Sequence, residues 1–257
     1  MTGPDAPRLS AIVIAMNESA NIGDCLDSLA FCDEIVVVDS GSTDDTVAIA
    51  ESKGARVVYR AFEGFGRQFN HALDQATGVW VLSVDADERV SPALRAEIEQ
   101  AVADGGADGY EMPRLSSFCG RFMRHSGWYP DYVLRLWKRG TTRWNDVLVH
   151  PHPVCNGTVK RLREPLIHYP VLRLEDSLSR MDRYSTAGAE QMAINGRRVS
   201  FSTGILRGWW AFVRHYILRA GFLDGREGFL LAVVNAEGTY YRYMKAWLAQ
   251  RARDRNQ

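Results

Sequence analysis

The sequence predicts an α/β protein built on a mostly parallel sheet with helices on both faces. Short apolar, β-branched runs occur at Ala11–Ala15, Ile35–Val38, Arg56–Tyr59 and Val79–Val84. Stretches with helical periodicity follow them in turn, near Asn21–Ala30, Asp44–Ser52, Gly66–Ala76 and Pro92–Ala103. Near-continuous apolar strands that alternate with helices are typical of parallel sheets covered on both faces. We therefore expect the ligand site at the carboxyl ends of these strands.

The composition is that of an ordinary globular protein. The chain has 257 residues, of which 46% are hydrophobic and 24% are charged. These values exclude a disordered or fibrous protein and allow one large domain or one domain with an appendage. Four scattered cysteines without a CxxC pair, and a polar start without a visible signal peptide, predict a protein of the reducing cytosol. No stretch is apolar for the roughly 18 residues that a membrane-spanning helix needs.

Charge is distributed unevenly although the formal net charge is zero. From Arg197 onward there are eleven Lys and Arg residues and four Asp and Glu residues, a local balance of +7. The preceding residues have a balance of −7. A basic C-terminal region predicts an anionic partner, either membrane lipid or nucleic acid. The region lacks a base-stacking motif, so we expect no nucleic acid.

A candidate interfacial helix lies at Ile205–Gly221. When the stretch is drawn as a helix, one arc contains Ile205, Leu206, Trp209, Trp210, Phe212, Val213, Tyr216, Ile217 and Ala220. The opposite arc contains Arg207, Arg214, His215 and Arg219. A basic face opposite an aromatic and aliphatic face is typical of a helix that lies in a membrane interface. A helix that packs its apolar face against the protein core has the same pattern, and both alternatives stand.

Polar clusters follow three of the four predicted strands. They are Met16–Glu18, Asp39–Asp44 and Asp85–Glu88. Because the carboxyl ends of parallel strands meet at one edge of the sheet, we expect the three clusters to lie along one rim. The rim is therefore the predicted functional site.

The pair Asp85 and Asp87 is the strongest candidate for a metal site. Two carboxylates at positions i and i+2, directly after a buried strand, can turn toward one divalent cation. Oxygen ligands suit Mg²⁺ or Mn²⁺, which leave coordination positions open for phosphate oxygens. The alternative is a solvated pair in a loop. The other acidic clusters on the same rim favour the metal site.

Two further parts of the rim have candidate roles. Asp39 ends the second strand, where a carboxylate can accept hydrogen bonds from a base or ribose. For Asp44 we favour the capping of the helix that follows. Gly64–Gln68 combines glycines, a helix start and Arg67, a pattern that favours binding of an anionic diphosphate.

Segments spread over most of the chain resemble the family 2 glycosyltransferases, which have the GT-A fold. The segments with this resemblance are Ile14–Glu18, Val38–Asp44, Ala76–Trp80 and Ser83–Glu88. Four others narrow the resemblance: Asp108–Arg114, Gly127–Tyr132, Leu134–Trp137 and Arg219–Gly225. Together they resemble the bacterial subgroup that adds glucose, or a related sugar, to the heptose of the lipopolysaccharide inner core.

The resemblance implies a metal-dependent, inverting hexosyltransferase that takes a UDP-sugar donor, such as UDP-glucose, and a lipid-anchored saccharide acceptor. It implies a GT-A type transferase domain at residues 8–170. We expect residues 171–257 to form a helical region that associates with an anionic membrane surface, which predicts a peripheral protein on the inner face of the cytoplasmic membrane.

The resemblance also implies roles for individual residues. By position, the uridine contacts are Asn17, Glu18 and Asp39, the diphosphate contact is Arg67, the ribose and metal contact is Asp85, and the principal metal ligand is Asp87. The predicted base is Asp131. The alternative is that Asp131 is only a turn residue after Pro130. His150 is a candidate metal or diphosphate contact, or else a structural residue.

One motif departs from the subgroup. The subgroup usually has His-Glu after an Asn-Asp pair, but Asn145-Asp146 is followed here by His150-Pro151. The glutamate is therefore absent, and any part that it plays in metal or acceptor binding has moved to another residue or is lost.

Other functions fit parts of the pattern. A transferase of the same fold could act on a polyprenyl phosphate, a capsule or another glycolipid. A nucleotidyltransferase also combines an α/β sheet with bound Mg²⁺, but it would have a glycine-rich basic loop after the first strand, where Asn17-Glu18-Ser19 stands. A non-catalytic nucleotide-sugar-binding protein is the third alternative, and the retained Asp85, Asp87 and Asp131 count against it.

Overall fold

The structure, a computed structural model, describes residues 8–145, 152–171 and 173–255. The chain divides into two compact units. The described part of the first unit extends to Arg114 and resumes over Asp131–His168, and the second consists of Leu115–Pro130 and the residues from Tyr169 onward.

Strands and helices alternate through the first hundred residues, as predicted. In chain order they are β1 Leu9–Ala15, α1 Ile22–Ser28, β2 Glu34–Asp39, α2 Thr46–Ser52, β3 Arg56–Tyr59, α3 Phe65–Gln75, β4 Trp80–Ser83, β5 Glu88–Val90 and α4 Pro92–Asp104. Ser91 caps the N-terminus of α4, because its side chain accepts a hydrogen bond from the Leu94 N–H. Pro92 occupies the first helical position.

The later strands are shorter or less regular. They are β6 Gly109–Phe118, β7 Arg121–Phe122, β8 Asp131–Lys138, β9 Thr142–Trp144, β10 Pro153–Cys155, β11 Val159–Arg161 and β12 Leu166–Val171. The helices of the C-terminal half are α5 Leu174–Ile194, α6 Phe201–Phe212 and α7 Gly225–Arg255. A π-helical turn, Val213–Leu218, and a 3₁₀ turn, Gly221–Asp224, lie between α6 and α7.

The sheet of the first unit is parallel on one side and mainly antiparallel on the other, where β11 pairs parallel with β6. β3, β2, β1 and β4 are neighbours in that order and run parallel. β8 pairs antiparallel with β4 and with β6, and β12 pairs antiparallel with β5. The predicted α/β class of GT-A type, with helices at the C-terminal end, is confirmed. The carboxyl ends of β1, β2 and β4 face the same edge of the sheet.

Both faces of this sheet are covered. Ala11 and Val13 of β1 belong to a core cluster with apolar residues of α1, α2 and α4. Ile12, on the other face of the same strand, packs in a cluster with Ala72 and Leu73 of α3. Alternate residues of β1 therefore enter two cores, which explains why the strand is apolar throughout. Full burial of one such aliphatic side chain stabilises the fold by about 1.5–3 kcal/mol.

In the second unit, α6 packs on α7 through its small residues. An added Cβ at Gly204 would collide with Met244, and one at Gly208 would lie 2.9 Å from Cβ of Tyr240. Six large apolar residues of α6 and the π-helical turn face solvent instead, each between 47% and 64% exposed: Ile205, Leu206, Trp209, Trp210, Ile217 and Leu218. We call these six residues the outer face.

The structure therefore corrects the prediction for Ile205–Gly221 in two respects. The α-helix ends at Phe212, and the chain continues through the π-helical turn rather than as one regular helix. Core packing of the large apolar residues is also wrong for the outer face, because close contact between the helices occurs through glycines. Within the described residues, no helix is long and apolar enough to cross a membrane.

Candidate functional site

The loops after β1 and β2 are joined by hydrogen bonds along the rim. Asn17 has a positive φ of 57°, and its Oδ1 accepts a hydrogen bond from the Thr43 N–H at 2.8 Å. The N–H of Asn17 donates to Oγ of Ser42, and the N–H of Glu18 donates to Oγ1 of Thr46. Asn17 and Glu18 are thus held beside the Asp39–Asp44 loop, as the sequence predicted for the rim.

Asp39 shapes the turn that follows β2. Its Oδ2 accepts hydrogen bonds from the N–H groups of Gly41 at 2.7 Å and Ser42 at 2.9 Å. Gly41 has a φ of 98°, a conformation that favours glycine. The Asp39 residue is only 4% exposed. Its carboxylate therefore holds the loop in position, and its contact with a nucleoside stays a prediction.

Asp44 has a structural role beside the start of α2, although the capping position predicted for it is occupied by Asp45. Its Oδ1 accepts hydrogen bonds from the N–H and Oγ1 of Thr46, the first residue of α2. Its Oδ2 accepts one from the N–H of Ser19. These bonds, first of all the one from Oγ1 of Thr46, lower the pKa of Asp44 to about 2. Asp44 therefore stabilises the helix start and joins it to the loop after β1.

Glu18 lies among other carboxylates. Burial raises the pKa of Glu18, and the negative charges of Asp87 and Asp44 raise it further, although a hydrogen bond from Nδ2 of Asn21 acts in the opposite direction. The charge interactions of Glu18 with Asp44 and Asp87 show that the loops after β1, β2 and β4 meet. A concentration of negative charge at the end of a sheet favours a cation.

Arg67 lies exposed in the first turn of α3, which begins after Gly64. Gly64 has a φ of 116°, so the loop enters the helix through a conformation that side chains rarely adopt. The position of Arg67 at a helix N-terminus is the one predicted for a diphosphate contact. Its contact with a diphosphate stays a prediction.

A chain of ion pairs connects Asp85 with Asp131. Nη2 of Arg135 lies 2.5 Å from Oδ2 of Asp85 and 2.7 Å from Oε1 of Glu88. Nη1 of Arg114 lies 3.5 Å from the same oxygen of Glu88. Arg114 also donates to Oδ2 of Asp131 through Nη2 at 2.6 Å and Nε at 3.1 Å. We call these five residues the ion network. It brings together two residues that the sequence predicted separately.

Glu88 is the centre of the ion network. Its side chain is fully buried, and Oε2 accepts a hydrogen bond from the N–H of Asp85 at 3.0 Å. Burial raises the pKa of Glu88, and the positive charge of Arg135 opposes this effect. Since a buried charge without a partner is costly, the two arginines are needed to keep Glu88 in this place. Glu88 thereby fixes the turn that presents Asp85 and Asp87.

Asp87 has a different partner from Asp85. Nε2 of His168 lies 3.4 Å from Oδ2 of Asp87. Burial alone would raise the pKa of Asp87, but the hydrogen bond and charge of His168, with a smaller effect of Arg135, lower it below its usual value. His168 has this position because β12 pairs antiparallel with β5, which sets His168 opposite Glu88.

Asp87 and His168 are the residues that fit a divalent metal. Carboxylate oxygen and imidazole nitrogen both bind Mn²⁺, and Mg²⁺ sites commonly use one or two carboxylates together with substrate phosphates and water. Among the described residues no group of three or more His, Cys, Asp or Glu side chains is placed to hold a metal. The pair therefore suits a metal that takes its remaining ligands from a bound diphosphate. Asp85 is engaged by Arg135, and its metal contact stays a prediction.

Sequence reasoning missed His168, Glu88, Arg114 and Arg135 as site residues. Arg135 gave a usable indication, because a charged residue within the apolar run Leu134–Trp137 requires a buried partner. His168 gave a weaker one, as the one histidine in Leu166–Val171. His150, a predicted metal or diphosphate contact, lies outside the described residues, as does Pro151.

The fold and this rim define a glycosyltransferase. Residues 10–166 match the family model described as glycosyl transferase family 2, and the chain belongs to this family. The predicted resemblance is thereby confirmed at the level of the family. Membership sets aside the nucleotidyltransferase alternative.

Relatives of known name extend over almost the whole chain. The chain is 32% identical to the lipopolysaccharide core biosynthesis glycosyltransferase LpsC of Rhizobium meliloti, over 91% of this chain and 93% of the relative. It is 29% identical to an uncharacterized glycosyltransferase of Rickettsia conorii, over 93% and 89% of the two chains. Among solved structures, glucosyl-3-phosphoglycerate synthase from Mycobacterium tuberculosis, in complex with Mn²⁺, uridine diphosphate and glucosyl-3-phosphoglycerate, matches 43% of this chain and 44% of its own at 27% identity, with a TM-score of 0.37.

Proposed function

We propose that this glycosyltransferase moves glucose from UDP-glucose to a heptose of the lipopolysaccharide core, with inversion at the anomeric carbon. The observation that supports the donor site best is the 3.4 Å approach of His168 to Asp87 on the rim that also holds Asn17 and Glu18. The similarity to a lipopolysaccharide core glycosyltransferase over 91% of the chain supports the acceptor class.

On the donor side, each rim residue has a proposed task. Asn17, Glu18 and Asp39 hold the uridine, Asp85 contacts the ribose, and Arg67 contacts the diphosphate. Asp87 and His168 are the residues that would hold Mg²⁺ or Mn²⁺. When bound, the metal would supply neutralisation of the negative charge on the departing diphosphate. Within the ion network, Arg135 contacts the carboxylate of Asp85 directly, which fixes the orientation of that carboxylate.

On the acceptor side, we assign the base to Asp131. An acceptor hydroxyl oxygen attacks the anomeric carbon while the bond from that carbon to the UDP oxygen breaks. The hydroxyl proton passes to Asp131, and UDP leaves with the electrons of the broken bond. Arg114 orients Asp131 through two hydrogen bonds, so the carboxylate stays in one position. General-base assistance of this kind contributes roughly 10²–10⁴-fold to a rate.

We also propose that the protein works as a peripheral protein on the inner face of the cytoplasmic membrane. The outer face presents two tryptophans and four aliphatic residues to solvent, and Arg207, Arg214 and Arg219 lie in the same segment. Tryptophans at the acyl boundary with arginines at lipid phosphates are typical of interfacial binding. The enzyme then meets its lipid-anchored acceptor at the membrane surface.

A UDP-release screen tests the proposal. UDP-glucose, UDP-galactose and UDP-N-acetylglucosamine are each supplied with Mn²⁺ or Mg²⁺, with and without core lipopolysaccharide truncated at heptose. We expect UDP release with UDP-glucose that depends on the acceptor and stops with EDTA. Release with a polyprenyl phosphate acceptor instead of heptose would contradict the acceptor, and undiminished release in EDTA would contradict the metal.

A further inference from the structure

A cavity of about 330 Å³ in the second unit lies beside α5 and α7 and has no part in the proposed donor site. Its volume falls within the range of small-molecule sites, roughly 300–1,000 Å³. Arg180 of α5 and Arg242 of α7 line it, and no Asp or Glu is among the described lining residues. Neither arginine forms an ion pair with another described residue. The cavity is therefore positively charged without an internal counterion.

The two arginines are held in place by their surroundings. Nη2 of Arg180 donates to the carbonyl oxygen of Pro170 at 3.2 Å. The stem of Arg242 lies across Gly188 of α5, where an added Cβ would be 2.7 Å from Nε. A side chain larger than hydrogen at position 188 would displace Arg242. Both arginines are exposed, and these contacts keep their side chains beside the cavity.

The cavity lining also includes an amide donor without a partner and a histidine. Nδ2 of Asn235 is shielded from solvent and donates to no described residue. Nδ1 of His215 lies 2.8 Å from the carbonyl oxygen of Ser126, which can only accept, so Nδ1 bears the proton. Burial lowers the pKa of His215, so at neutral pH its Nε2 is an acceptor. The site therefore offers donors for an anion and an acceptor for a hydroxyl.

Part of the lining is apolar. Trp128, Met181, Leu231 and Val234 contribute to it. Aromatic and aliphatic surface of this kind suits the non-polar face of a sugar ring, whereas a bare inorganic ion gains nothing from it. A ligand that uses every part of this lining has an anionic group, hydroxyl groups and a compact ring.

We propose that this cavity binds a sugar unit with an anionic substituent, either a phosphate or a carboxylate. The inference deepens the proposed function and rests on it in one respect, namely that the natural ligand is part of the saccharide acceptor. Binding of the anionic sugar itself depends only on the second unit. The two ideas can therefore fail separately.

Isothermal titration calorimetry on the full chain tests the inference. The probes are glucose 6-phosphate, glucuronate, glucose and inorganic phosphate, and the first two distinguish a phosphate from a carboxylate. We expect one of the two anionic sugars to bind at least about tenfold more tightly than glucose or phosphate, because a charge-assisted hydrogen bond contributes about that much to affinity. Absence of saturable binding by both anionic sugars, or equal binding of glucose or of inorganic phosphate, would overturn the inference.

Variants locate the binding. Arg242→Gln is expected to weaken binding of the anionic sugar at least about tenfold, because one guanidinium contact is lost. Arg183→Gln changes an exposed residue one turn along α5 that does not line the cavity. Binding should stay within about twofold, since solvent screens a charge that makes no contact with the ligand. Equal loss in both variants would overturn the assignment to the cavity. Urea denaturation shows whether each variant is folded.

Asp87→Asn separates the inference from the proposed function. This variant is expected to lose metal-dependent UDP release and to bind the anionic sugar as the unmodified protein does. Binding without any sugar transfer by the unmodified protein would support the cavity assignment and contradict the proposed reaction.

Discussion

Nε2 of His168 and Oδ2 of Asp87 lie 3.4 Å apart although the two residues are 81 positions apart in sequence. The antiparallel pairing of β12 with β5 produces this contact. A carboxylate and an imidazole that meet beside a predicted diphosphate site are suitable ligands for one divalent cation.

His168→Ala is expected to raise the Mn²⁺ concentration for half-maximal UDP release by at least about tenfold, because removal of even an outer-shell partner of a metal typically costs 10–100-fold. Mn²⁺ affinity can be measured directly by electron paramagnetic resonance with UDP bound. His152→Ala, an exposed histidine, is the matched control. An unchanged Mn²⁺ affinity in His168→Ala would rule out His168 as a ligand.

Asp131→Asn is expected to lower kcat by roughly 10²–10⁴-fold with little change in donor KM, as loss of a general base does. Steady-state kinetics with saturating acceptor gives both constants. Asp74→Asn is the control, because Asp74 forms an exposed ion pair with Arg143. A variant that retained full kcat would remove Asp131 from the reaction.

Arg135→Met is expected to lower the free energy of unfolding by about 3–5 kcal/mol, since it leaves the fully buried Glu88 without its closest partner. Arg143→Gln breaks an exposed pair and should cost only about 0–1 kcal/mol. Urea denaturation of both variants at neutral pH provides the comparison. Similar losses in the two variants would contradict the importance of the ion network.

Asp44→Asn is expected to destabilise the protein in a pH-dependent way. The pKa of Asp44 is lowered from 3.8 to about 2, so its ionised form is favoured by folding. This contribution is fully present above pH 3.8 and is lost as the pH falls toward 2. Urea denaturation at a series of pH values from neutral downward should therefore show a difference from the unmodified protein that shrinks below pH 4. A constant difference would contradict the assignment.

Replacement of Trp209 and Trp210 by alanine is expected to weaken co-sedimentation with anionic liposomes by about tenfold or more, because each tryptophan contributes buried apolar area at the interface. Ile194→Ser removes an apolar residue that is 78% exposed elsewhere in the second unit and should have little effect. Binding of the double variant equal to that of the unmodified protein would contradict the membrane role of the outer face.

Local sequence patterns were sufficient for the first four strands and for the rim. β-branched runs located β1 to β4 within one or two residues, and the polar clusters after them meet as expected from the parallel arrangement. The ion network could be predicted only in part. Asp85 and Asp131 were found from motifs, but Arg114 and Arg135 pair with them through antiparallel contacts among β4, β6 and β8 that no local periodicity encodes.

His168 and α6 show two further limits. The contact between His168 and Asp87 depends on a strand pairing between distant segments, so this contact could not be inferred from residue spacing. In α6 the helical period was recognised, but whether its large apolar residues pack in the core or lie in a membrane interface was left open. Gly204 and Gly208 allow the closer approach of α7, and this packing turns the large residues outward.

The division of α6 into two faces has a consequence for variation among related proteins. Met244 and Tyr240 leave too little space for a side chain at Gly204 or Gly208, so substitutions at either glycine affect folding. Substitutions at Trp209 or Leu206 leave that contact alone. The helix can therefore adapt to a different lipid composition, or be made more polar for expression and crystallisation, without any change to the part of its sequence that determines its fold.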